Sequence, residues 1–109
     1  MEPSSIRARL NADSIGIHID DPLPGQRGSG ASTDFGNVSQ VIPSFAMTFA
    51  VSEQPVPGHS KAMTDAAISD LGHNNALAVA KTLGLIACDL LSDPALLEAA
   101  HTEFNARKI

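Results

Sequence analysis

Pro43-Ser44-Phe45-Ala46-Met47-Thr48-Phe49-Ala50-Val51 is the stretch on which the reading of the fold turns. In an extended chain Phe45, Met47, Phe49 and Val51 project to one side and Ala46, Thr48 and Ala50 to the other. Bulky groups on one face and small ones on the opposite face describe a strand buried on both sides and closely approached on one. A polar run brackets it at each end, Gly30–Ser39 upstream and Pro57-Gly58-His59-Ser60 downstream. Loops at the ends of a rigid strand are where α/β enzymes commonly carry their functional side chains.

Helical patterns lie on either side. Ser4 or Ser5 can cap a short helix to about Ser14, with Gly16 placed to end it in a left-handed conformation. Ile15, Ile17 and Ile19 then alternate with Gly16 and His18, the pattern of a short extended edge with His18 outward. Asp20 to Ser32 is dense in Pro, Gly, Ser and Asp, which is loop chemistry. Asp65–Gly72 reads as a helical turn or as the opening of a longer helix. Asn74–Leu91 is the plainest helix of the chain, stopped by Ser92-Asp93-Pro94, which in turn opens a last helix from Pro94 to about Asn105. In that last helix Leu96, Leu97, Ala100 and Phe104 form the inner face.

Polar side chains occupy only a narrow stripe of the Asn74–Leu91 helix, so it is expected to be covered on most sides. One strand is not a sheet, and short helices cannot cover such a helix. The expected class is therefore α/β, with the other strands of a larger layered domain lying outside this sequence.

The bulk properties narrow the function. The 109 residues, 43% of them hydrophobic, suit one domain or a piece of one. With no Trp or Tyr and a net charge of -5, neither base stacking nor phosphate binding has its usual residues, which argues against a nucleic-acid partner. The single Cys88 sits in an apolar run and reads as a packed, inert thiol in a reducing compartment. The start of the chain lacks a basic-then-apolar signal, and the apolar run Ala76–Cys88 is interrupted by Lys81 and too short to span a bilayer, so no membrane partner and a cytoplasmic location are expected.

Two loops hold the candidate chemistry. His59 follows a Pro-Gly turn where the strand ends; it is either a metal ligand or general acid/base, or an exposed loop histidine, and no second ligand sits at a recognised metal spacing. Ser32, Thr33, Asp34 and Asn37 gather hydroxyls, a carboxylate and an amide in one compact loop. They could hold a polar group of a substrate or orient a ligand, or form an Asx or Ser/Thr turn that caps the next segment. His73 and His101 read as solvent-facing, Asp20 and Asp21 as turn initiators, and Gly28 and Gly30 lack the context of a phosphate loop.

The order Ser32-Thr-Asp-Phe-Gly-Asn-Val-Ser39, Val41-Ile-Pro-Ser44, Pro57-Gly-His-Ser60, Gly72-His73 and Asp89-Leu-Leu-Ser-Asp-Pro-Ala-Leu-Leu97 resembles the C-terminal end of a known family. It is the zinc-dependent amidohydrolase and carboxypeptidase family, peptidase family M-twenty, which includes aminoacylases and aminobenzoyl-glutamate hydrolases. The resemblance is nearest to the branch named for the M-twenty domain-containing protein two and runs from about Ile6 to Phe104.

That resemblance implies a catalytic α/β domain interrupted by a smaller lid, with residues 1–109 as one partial catalytic domain following the lid. It implies His59 as a ligand of a two-metal zinc site, with Asp34, Asn37, Ser32, Thr33 and Ser60 near the substrate or supporting the ligands. The expected substrate is a small molecule, an N-acyl amino acid or dipeptide-like amide. Metals in such enzymes polarise the scissile carbonyl and acidify the attacking water while a glutamate moves its proton. The other ligands, that glutamate and the lid are absent from this sequence, so the chain is expected to be inactive alone. The alternative is a non-enzymatic interaction module, derived from the same fold and self-associating through its apolar helix.

Overall fold

A computed structural model describes residues 3–16, 18–19 and 32–107. Among these residues five helices follow in order: α1 (Pro3–Ser14), α2 (Phe35–Ser39), α3 (Lys61–Ala67), α4 (Asp70–Ser92) and α5 (Pro94–Arg107). Pro3 stands at the first helical position, where its missing N–H costs nothing. Gly16 ends α1 with φ 81°, the left-handed turn expected of it, and donates its N–H to the Asp13 carbonyl at 3.1 Å.

The sharpest boundary lies between α3 and α4. Ser69 caps α4, its Oγ accepting from the Gly72 N–H at 3.1 Å and donating to the Ala66 carbonyl at 2.6 Å. A Cβ at Gly72 would stand 3.0 Å from the Ala66 oxygen and 3.1 Å from that of Ala67, tight contacts that a glycine avoids. Helix α4 thus begins four residues before the expected Asn74, because the cap is Ser69. At its other end Asp93 caps α5 as expected, its Oδ1 accepting from Ala95 N at 3.1 Å and Leu96 N at 3.3 Å.

Helix α1 packs on α4 and α5, α4 packs on α5, and α3 rests against α4. Among the described residues the buried apolar side chains are Ala12 of α1, Ile86 of α4 and Leu96 of α5, joined by Thr82. The buried Thr82 hydroxyl donates to the Ala78 carbonyl one turn back at 3.0 Å, which removes the penalty of burying it.

The described residues contain helices and no strand, so the chain by itself is helix-rich, and the strands that the α/β expectation placed outside this sequence are not among them. The segment from Phe45 to Val51 has the alternation of a strand but no regular structure. A strand exists only when a neighbour takes up its backbone groups, and among the described residues nothing pairs with this one. Side chains hold it instead: Asn75 Nδ2 donates to the Ala50 carbonyl at 2.8 Å, and the Ser69 hydroxyl, whose one proton is shared with the nearer Ala66 carbonyl, lies 3.2 Å from that of Val51. At the other candidate edge Ile15 and Gly16 form a turn and His18 is exposed. Ile17 and the expected loop from 20 to 31, with Asp20, Asp21, Gly28 and Gly30, lie outside the described residues.

A second correction concerns α4. Instead of being covered on most sides, it exposes Leu77, Leu83, Leu85 and, at 89%, Leu91. Cys88 is exposed as well and is not a packed thiol. By length and composition alone the whole helix is apolar enough to cross a membrane, with a mean hydropathy of 1.4 over a window of which 11% is buried. The shorter run Ala76–Cys88 understated this, because the helix continues through Lys81 and beyond both ends of that run.

Candidate functional site

The loop that carries His59 is fixed from its C-terminal side. Ser60 has the extended backbone of a helix cap, φ -152° and ψ 161°, and its Oγ accepts from the Met63 N–H at 3.1 Å while donating to the Pro57 carbonyl at 2.7 Å. Both bonds tie down the turn Pro57-Gly58-His59-Ser60, leaving the His59 side chain exposed at its tip. Ser60 thus has a definite structural task.

The second loop turns at once into a helix. Thr33 Oγ1 accepts from Phe35 N at 3.2 Å, and the carbonyls of Thr33 and Asp34 accept from Gly36 N and Asn37 N at 3.1 and 3.0 Å. This is a Ser/Thr turn opening α2, one of the alternatives the sequence left open. Asp34 stands at the cap position of α2 yet makes no side-chain cap bond, and the side chains of Ser32, Asp34 and Asn37 are exposed. No hydrogen bond joins this loop to His59 or Ser60 among the described residues.

A metal site needs several ligands converging on one point. Among the described residues no group of three or more His, Cys, Asp or Glu side chains does so, and His59 stands without such companions. One exposed imidazole does not make a zinc centre, so these residues alone do not fit the metal pair that the family resemblance implies. No step of hydrolysis is assigned to them.

Helix periodicity left one concavity unread. An open groove of about 1010 Å³ runs between α4, α5 and the segment leading to Phe45, with walls that include Leu83, Ile86, Leu90 and Phe104. His101 and Arg107 lie along it. The signal was the spacing of Leu83, Ile86 and Leu90 on one side of α4, opposite the inner face of α5.

Over 97 residues, 89% of the chain, the sequence is 38% identical to a Xaa-Arg dipeptidase of Mus musculus. It is 32% identical over 97 residues to a Xaa-Arg dipeptidase of Homo sapiens. No family model matches the chain, and no solved structure matches it. The chain spans 22% of the length of either relative. These two dipeptidases support the zinc-dependent amidohydrolase and carboxypeptidase family, peptidase family M-twenty, as the family that this chain resembles.

Proposed function

We propose that the chain is the C-terminal portion of a metal-dependent hydrolase that cleaves dipeptides, and that His59 contributes one ligand to a metal centre whose other ligands lie outside these residues. The observation that carries this reading is identity of 38% and 32% to dipeptidases along 89% of the chain, although it covers 22% of each relative. Its substrate class follows those relatives: small dipeptides, with arginine as the C-terminal residue. The M-twenty domain-containing and aminobenzoyl-glutamate hydrolase branch is the finer placement that the quoted motifs favour.

Each residue of the site has a part that its local structure permits. The His59 imidazole is exposed at the tip of a turn, and Ser60 holds that turn through its bonds to Pro57 and Met63. Ser60 is thereby a positioning residue. Asp34 and Asn37 present an unengaged carboxylate and an amide from α2, suited to bonding a substrate's polar groups or a ligand's second nitrogen. Ser32 and Thr33 hold the entry to that helix. Among the described residues no set of donors that would activate water comes together, and the chain alone is inactive.

A domain exchange tests the reading. The matching 97 residues of the Mus musculus relative are replaced by this chain, and the chimera is assayed on Xaa-Arg dipeptides with added zinc or cobalt. Hydrolysis by the chimera and none by the chain alone is the expected result. A folded chimera without hydrolysis, or turnover by the isolated chain, overturns it.

A further inference from the structure

We infer that Glu53 selects the C-terminal arginine of the substrate, its carboxylate receiving the guanidinium while His59, on the same loop, serves the metal centre. This rests on the reading proposed above, and it names the side chain behind the substrate class.

The loop carries the argument. Residues 52–60 contain one carboxylate, Glu53, and one imidazole, His59. Ser52 Oγ accepts from the Gln54 N–H at 3.2 Å, a turn that sets Glu53 at its centre with the side chain exposed. Among the described residues that side chain takes part in no hydrogen bond or ion pair. The next carboxylate along the chain, Asp65, is already engaged, 2.7 Å from Lys61 Nζ.

Both ends of the loop are fixed. Asn75 holds the Ala50 carbonyl before it, and Ser60 closes it through Pro57 and Met63. Between them Pro55 and Pro57 fix their own φ and push Gln54 and Val56 toward extended backbone. Glu53 is thereby kept from folding back onto His59, and fully extended chain limits their separation to about 20 Å. Such a spacing suits recognition of a side chain far from the amide that reacts, and arginine carries its charge at the end of a long stem. A planar guanidinium offers two parallel N–H donors to a carboxylate, and one that is unpaired and exposed has no partner to give up.

The chimera described above reads the inference when it is assayed on two dipeptides that differ only at the C-terminal residue, Xaa-Arg and the neutral Xaa-Gln. Glu53→Gln should lower kcat/KM for Xaa-Arg about 30-fold, leave that for Xaa-Gln within about threefold, and keep the zinc content. Glu53→Lys should turn the preference toward Xaa-Glu, and Glu98→Gln, an exposed change on α5, should alter nothing. A purely structural part for Glu53 would lower both substrates alike. An active chimera in which Glu53→Gln keeps its preference for arginine, or loses both substrates equally, overturns the inference while the proposed function stands. Where the chimera is inactive or does not fold, the chain itself is titrated with free arginine and followed by amide NMR shifts. Shifts confined to residues 52–54 and lost in Glu53→Gln support the inference although the proposed function has failed, and their absence overturns it.

Discussion

Asn11 donates from Nδ2 to Oδ2 of Asp89 at 2.9 Å, joining two residues 78 positions apart. The same carboxylate lies 3.7 Å from Arg7 Nε, and Arg7 also reaches Asp93 at 3.6 Å. Helix α1 is thus held where α4 gives way to α5, by side chains that cover the small core around Ala12, Ile86 and Leu96. Asp93 serves there twice, as cap of α5 and as partner of Arg7.

Asp89→Ala removes the acceptor of this clasp and leaves Asn11 and Arg7 partly buried without it. The expected loss is about 1–2 kcal/mol in urea unfolding, with faster amide exchange along α1 than along α5. Equal acceleration in both helices would show that the clasp does not hold α1 in particular.

Gly72 and Gly84 both lie in α4, and alanine should act on them with opposite sign. At Gly84 an added Cβ meets nothing within 4 Å, so the gain in helix propensity stabilises the chain by about 0.5–1 kcal/mol. At Gly72 the new Cβ meets the Ala66 and Ala67 carbonyls at 3.0 and 3.1 Å, backbone atoms that cannot swing aside. Gly72→Ala is expected to lose about 1–2 kcal/mol despite the same propensity gain. Thermal unfolding of the two variants distinguishes them.

The helices were legible where the sequence carries a local stop or cap. Ser92-Asp93-Pro94 marks the α4–α5 break because Pro cannot continue a helix and Asp caps the next one, and Gly16 marks the end of α1 by its left-handed φ. Ser69 was harder to read. Its capping bond to Gly72 N is local, but Asp65–Gly72 read as one helical piece, which hid the break between α3 and α4. The strand at Phe45–Val51 was read from alternation that is present, but alternation expresses which side chains want burial and does not supply a neighbour. Similarly, Cys88 and Leu91 read as covered because their apolarity is local, whereas exposure is set by which elements pack against α4, and both are exposed. At the candidate site the Ser/Thr turn at Thr33 was legible from residue type, and the cap formed by Ser60 was not, since its helix begins where the sequence showed only a loop.

Ser60→Ala separates the structural part of the His59 loop from its chemical part. Losing the cap of α3 should cost about 1 kcal/mol in the isolated chain and release the Pro57 carbonyl. Ser60→Asp restores an acceptor for Met63 N and should recover most of that stability. In the chimera, Ser60→Ala should weaken zinc retention more than it changes KM for the dipeptide, and an unchanged zinc affinity would remove Ser60 from the role of positioning residue.

The most direct measurement is the zinc content and dipeptide hydrolysis of the chimera carrying His59→Ala, set beside one carrying His101→Ala. Both histidines are exposed in the isolated chain, so neither change should disturb its folding. The expected outcome is that His59→Ala loses bound zinc and at least about a hundredfold in kcat/KM, while His101→Ala retains both. Full zinc occupancy and undiminished hydrolysis with alanine at position 59 would contradict the assignment of that imidazole to the metal centre.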